Sequence, residues 1–203
     1  MTKVNFSFEK IANAKTNWSD LSVSAIALAI AEYAKNFTGL TVVIAGSANE
    51  VDAYASSINF FTHGHDLPLY RLPDWETLPY DTFSPHEDII SERLSTLYHL
   101  PELDSGILII PVSTAMHRLS PVTYVQKFSF IVKKGDHLAL IAVREKLSQS
   151  GYQQVDTVTE HGEYSIRGSL FDVYPMGSLF PYRIDLFDSQ VDSLREFDPA
   201  PQR

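Results

Sequence analysis

The chain has 203 residues, 44% of them hydrophobic and 20% charged, enough to bury a sizeable core and somewhat above the usual single-domain size of about 100–150 residues. It contains no cysteine, which excludes disulfide scaffolds, thiolate zinc sites and cysteine nucleophiles and suits a reducing compartment. Sixteen basic against 25 acidic residues give a net charge of −9, which repels phosphate backbones at long range and argues against strong sequence-independent binding of nucleic acid.

The longest uninterrupted apolar run, Ala25–Ala31, is far short of the roughly 20 residues of a membrane helix, and no basic stretch followed by an apolar one opens the chain. A soluble, cytoplasmic protein without a membrane partner is expected. Residues 1–19 carry no clear pattern. Ser22–Ala34 is rich in Ala, Leu and Ile and follows Asp20, a candidate N-cap, so it reads as a helix. Thr41–Ile44 reads as a buried strand, Glu50–Phe61 as a second helix, Leu69–Leu72 as a strand, Ile89–Leu100 as a third helix and Gly106–Pro111 as another buried strand. Helices alternating with short apolar strands predict a parallel α/β sheet. Residues 72–88 hold three prolines with Trp75, Tyr80 and Phe83, a composition that breaks a helix and predicts an ordered loop.

Beyond Pro121 the texture changes. Residues 1–120 hold 7 basic and 14 acidic residues, whereas 121–203 hold 9 and 11, so a domain boundary is expected near 120, with Leu119–Thr123 as the linker. Phe128–Val132 reads as a strand and Leu138–Ser148 as a helix stopped by Gly151. Tyr164–Tyr174, Tyr182–Phe187 and Val191–Phe197 read as alternating runs separated by turn residues. This part is expected to be a small antiparallel sheet with one helix.

The chemistry of enzymes is hard to find here. The turn into the first helix, Asn17–Ser24, has no glycine and carries Asp20 where phosphate charge would sit, so it lacks the cradle of a phosphate loop. His63 and His65 have no third metal ligand beside them, and His86-Glu87-Asp88 reads as a helix N-terminus with its acids at the positive end of the dipole. Gly168-Ser169 lacks the second glycine of a nucleophile elbow. The acids between Asp185 and Asp198 alternate with apolar residues and read as the wet face of strands.

Arg167 and Arg183 are different in kind, since each lies on an apolar β-run beside a turn signal, and Phe187 shares the strand face of Arg183 by period-two alternation. Two readings stay open on residue types. One is a solvent-facing patch whose composition suits protein recognition. The other is arginines paired with acids such as Asp185 or Glu163, and a core phenylalanine.

A longer pattern adds to this. Trp75–Asp81, Phe83–His86, Asp88–Ser91 and Arg93–Leu97, followed by Glu160–Tyr164, Arg167-Gly168, Tyr174–Ser178, Pro181–Arg183 and Asp192–Arg195, resemble the N-terminal region of the bacterial transcription-repair coupling factors. The resemblance runs from about residue 20 to 198. It implies a module similar to the excision-repair protein UvrB: a degenerate helicase-like α/β parallel-sheet lobe over 1–120, without a phosphate loop; a small α+β domain with an antiparallel sheet over 121–198; and the start of a return segment at 199–203. It also implies a non-catalytic role, recruiting UvrA to stalled RNA polymerase through Arg167, Arg183 and Phe187, which are then expected to face solvent together. No cofactor or metal is implied for this part. ATP and Mg would serve the motor of the longer protein, which would also contact RNA polymerase and double-stranded DNA, associate with the nucleoid when acting, and cover the UvrA surface with its other domains. The competing functions are a nucleotide-binding or ATPase lobe of a helicase-like repair enzyme, disfavoured by the missing phosphate loop, and direct DNA binding through Lys133, Lys134, Arg144 and Lys146, which also read as a solvated helix end and turn.

Overall fold

The computed structural model describes residues 17–78, 80–129 and 131–202. In chain order these form α1 (Val23–Asn36), β1 (Leu40–Ala45), α2 (Ala48–Thr62), β2 (Leu69–Arg71), α3 (Glu87–His99), β3 (Gly106–Pro111), α4 (Val112–Ala115), α5 (Val122–Phe128), α6 (Leu140–Gln149), β4 (Gln153–Gln154), β5 (Glu163–Arg167), β6 (Leu170–Val173), β7 (Tyr182–Phe187) and β8 (Gln190–Glu196). They fall into two compact units, one built from the chain up to Asp74 with Glu102–His117, the other from Trp75–Pro101 with Arg118–Arg203.

The first unit is an α/β layer. Its sheet is wholly parallel in the order β1-β3-β2. Ser22, rather than Asp20, caps α1 by accepting a hydrogen bond from the Ala25 N–H at 3.2 Å, while Asp20 adopts a left-handed φ of 58° two residues earlier. A hydroxyl at the N-cap satisfies one of the orphan amides of the first turn. Ala27 and Ala34 of α1, Val51, Ala55 and Ile58 of α2, and Ile107 and Ile109 of β3 form the core. Small alanines let α1 approach α2 closely, and α2 lies against the sheet.

The second unit holds a five-stranded sheet in the order β4-β5-β6-β7-β8, parallel between β4 and β5 and antiparallel elsewhere. One face carries Tyr164, Phe171, Val173, Ile184, Leu186 and Val191, packed with Leu147 of α6. An extra residue on β8 lets Val191 pair with Leu186 and Leu194 with Ile184, which explains why the apolar residues of this strand are three apart rather than two.

Three expectations differ from this. The strand placed at Phe128–Val132 is absent among the described residues: Val122–Phe128 is helical, starting after Pro121 with Val125 buried, and Phe130 lies outside the described residues. Packing of α5 in the second unit overrides the β preference of its valines and phenylalanine. The boundary expected at 120 has its counterpart at 117–118, but residues 75–101, expected with the first lobe, belong to the second unit. Within it the Gly177 amide donates to Ser91 Oγ at 2.8 Å, and His161 places Nδ1 2.8 Å from an Asp88 carboxylate oxygen. The link between α4 and α5 covers residues 116–121, so Val122 and Thr123, expected in the linker, already belong to α5. Within the 72–88 loop the Trp75 ring lies 3.9 Å from the buried Arg93 guanidinium, whereas Leu78, Tyr80 and Phe83 are exposed.

Candidate partner-binding face

The face of the five-stranded sheet opposite its core is the place where the singled-out residues meet. Cross-strand register decides this. Ser165 pairs with Asp172, Asp172 with Arg183 and Arg183 with Arg195, making one row of side chains across four strands; Arg167, Leu170, Asp185 and Ser193 make the next. Side chains alternate between faces along a strand, so Arg167, Arg183 and Phe187 all emerge on this one. With strands about 4.8 Å apart and a rise of about 3.3 Å per residue, the three backbone positions form a triangle with sides of about 12 Å. A single partner surface can span that distance.

The three are not equally free. Phe187 is 75% exposed and borders a cavity of about 250 Å³ lined also by Lys134, Gly135, Gln190, Val191 and Asp192. The Arg167 side chain is 53% exposed, and its Nη2 donates to Asp172 Oδ2 at 2.9 Å. Arg183 corrects the expectation of a fully solvent-facing patch. Its side chain is only 14% exposed, because Nε and Nη2 each donate to Asp172 at 2.8 Å, Nη1 donates to the Gln202 carbonyl at 3.1 Å, and the guanidinium stacks 4.6 Å from the Phe197 ring centre. The two-bonded fork to Asp172 holds the guanidinium pKa above its already high value.

Asp172 is the residue that sequence reasoning missed. It lies in Leu170-Phe-Asp-Val173 and is 1% exposed, paired with both arginines. A usable signal existed: an acid inside an apolar β-run, on the face opposite Phe171 and Val173, must have a cationic partner across a strand. The expected partners for the arginines, Asp185 and Glu163, do other things. Asp185 accepts from Arg195 at 2.8 Å and Ser193 at 2.7 Å, and Glu163 accepts the Thr159 and Glu160 amides.

The remaining candidates are dispersed. His63 ends α2 and His65 follows it, both exposed, and among the described residues no group of three or more His, Cys, Asp or Glu is arranged to hold a metal. In the Asn17–Ser24 turn the Ser22 hydroxyl accepts the Ala25 amide of the first turn of α1. Lys133, Lys134 and Arg144 are exposed, while Lys146 donates to the Ser129 carbonyl at 3.3 Å. Among the described residues no helix is long and apolar enough to cross a membrane.

Comparison with known proteins gives this face a context. Residues 130–203, which contain the whole five-stranded sheet, match the family described as the UvrB interaction domain. The chain is 47% identical over 184 residues to the transcription-repair-coupling factor of Escherichia coli, a match covering 91% of this chain and 16% of that protein. The corresponding protein of Haemophilus influenzae is 46% identical over 179 residues, 88% of this chain and 15% of its own, and that of Staphylococcus epidermidis is 33% identical over 184 residues, 90% and 15%. The chain therefore spans about a sixth of the length of the curated relatives it matches.

Proposed function

We propose, from the premise that this chain is an N-terminal UvrB-like module of the transcription-repair coupling factors, that it is a non-catalytic recruiter that binds the excision-repair protein UvrA through the face of its five-stranded sheet opposite the core. The observation that carries the reading is the convergence of two arginines and an exposed phenylalanine on one face of the segment that matches the UvrB interaction domain. Arginine forks recognise carboxylates and carbonyls, and an exposed aromatic supplies apolar area that a partner pocket can bury. A partner with an acidic rim around an apolar pocket fits this chemistry.

In this reading the chain needs no cofactor and turns over no nucleotide. ATP- and Mg-dependent movement on double-stranded DNA and the displacement of stalled RNA polymerase belong to the remainder of the longer protein, whose other domains would also cover the UvrA face at rest. The module acts in the bacterial cytoplasm, at the nucleoid when a polymerase has stalled.

Titration of the purified chain with UvrA tests the reading. Phe187→Ala and Arg167→Ala should each weaken binding by about 30-fold, corresponding to a hot spot of about 2 kcal/mol, with the melting temperature unchanged in Phe187→Ala, whose side chain is largely solvated, and lowered slightly in Arg167→Ala, where Asp172 keeps both bonds from Arg183. Arg183→Ala should weaken binding and also lower the melting temperature, since it strips a buried carboxylate of its two-bonded partner. Wild-type affinity in all three variants removes the site.

A further inference from the structure

A carboxylate that is 1% exposed would ordinarily be a liability, since burying an ionised group without partners costs several kcal/mol. Asp172 avoids this by using both oxygens. Oδ1 accepts from Arg183 Nε at 2.8 Å; Oδ2 accepts from Arg183 Nη2 at 2.8 Å and from Arg167 Nη2 at 2.9 Å. One acid therefore holds two guanidinium groups that start from strands on either side of its own. The two are held differently. Arg183 has donors on Asp172 and on the Gln202 carbonyl and lies against Phe197, whereas Arg167 commits one nitrogen to Asp172 and keeps a side chain 53% exposed.

Resting on the UvrA-binding reading above, we propose that Asp172 is a positioning residue of that face: a buried clamp that fixes both arginines, so that Arg167 presents its remaining N–H donors outward to a carboxylate of the partner, which itself never touches Asp172. A flexible arginine loses side-chain entropy when it docks. One already held by a neighbouring carboxylate has lost much of that freedom on folding, so binding is tighter for the same contact. The carboxylate also leaves the patch with a single net positive charge from its two arginines, enough to attract an acidic partner without strong mutual repulsion of the guanidinium groups.

Asp172→Asn keeps the shape of the side chain, removes its charge and replaces one acceptor oxygen by a donor. Measured with purified UvrA well below the melting temperature of the variant, it should bind at least about tenfold more weakly than the wild-type chain. Introduced into Arg167→Ala, the same substitution should weaken affinity by a clearly smaller factor than in the wild-type chain, because one of the two arginines it acts through is gone. A residue that merely stabilises the sheet would cost the same in both backgrounds. Equal loss in both backgrounds, wild-type affinity, or tighter binding by Asp172→Asn each overturns the clamp; tighter binding would make Asp172 a competitor for the guanidinium groups. If the asparagine variant fails to fold, guanidinium NMR of the wild-type chain decides: hindered rotation in both Arg167 and Arg183 supports the clamp, and a freely averaging Arg167 overturns it. Should Arg167→Ala, Arg183→Ala and Phe187→Ala all bind as the wild type does, the site assignment fails and the clamp with it. Loss in those variants with no effect of Asp172→Asn isolates the failure to the clamp.

Discussion

Arg183 and Phe187 are four residues apart on one strand face, yet one is mostly covered and the other projects into solvent. The difference comes from what lies beside each. Arg183 faces Asp172 on the neighbouring strand and is overlain by the Phe197–Gln202 segment; Phe187 stands at the strand end beside a turn and stays three-quarters exposed. Residue type could not distinguish them, because both readings of an arginine on a strand, a surface contact and a paired cation, apply to Arg183 at once. Tyr152 shows the same dependence on surroundings and yields a pH prediction. Its hydroxyl accepts the Met176 amide at 2.9 Å, and burial pushes its pKa above 10.0, against a smaller lowering by that backbone bond. The folded state thus favours the neutral phenol more than the unfolded chain does. Its contribution to stability is complete below about pH 10 and is lost as the pH climbs from there through the raised folded value. Tyr152→Phe should cost about 1 kcal/mol at neutral pH by orphaning an amide. Its deficit against the wild-type chain should shrink above pH 10, as urea midpoints at the two pH values will show.

At the level of elements, the position of Arg167 depends on the hairpin that it ends. Arg167 pairs with Leu170, so Gly168 and Ser169 alone make the turn, and Gly168 has a φ of 63°. Two-residue hairpins that begin with a left-handed residue match the twist of the strands, and glycine adopts that conformation without penalty. A Cβ at Gly168 would meet nothing within 4 Å, so the cost of Gly168→Ala is backbone strain alone. About 1–2 kcal/mol of destabilisation is expected, together with weaker UvrA binding as Arg167 shifts out of register. Thermal unfolding and titration on the same sample separate the two effects. The β8 irregularity follows a similar rule: pairing with β7 takes precedence over strict alternation along the strand, and one extra residue reconciles them.

The whole chain divides at three places rather than one, because Trp75–Pro101 joins the C-terminal unit. A fragment beginning at 121 would lose α3, the Ser91 hydroxyl that receives the Gly177 amide, and the Asp88 carboxylate beside His161. His161 also touches the Ser178 carbonyl and lies 4.1 Å from the Tyr174 ring, so the loss would reach the turn between β6 and β7. Residues 121–203 expressed alone should therefore melt below the transition of the same unit in the complete chain, by about 5 °C or more for each kcal/mol lost in a domain of this size. Identical transitions would show that 75–101 adds nothing to the unit.

Local chemistry in the sequence was sufficient for most elements: the β-branched run Thr41–Ile44 in β1 and the apolar run of β3, alanine spacing along α1, the acids that open α3 and the turn residues around β5 to β8 each act over a few neighbours. The long motifs running from Trp75 to Arg195 carry the resemblance to the coupling factors, since identity accumulates along the chain without reference to its fold. Helix α5 was missed, because its short stretch carries two valines and a phenylalanine, residues that favour strands, and so was the attachment of residues 75–101 to the second unit. Asp172 stayed hidden for the same reason. Its partners lie 5 and 11 residues away along the chain, and only the register of three strands brings both arginines onto one buried carboxylate; pairing across strands is a non-local property, decided when the sheet closes rather than by the residues that flank each strand.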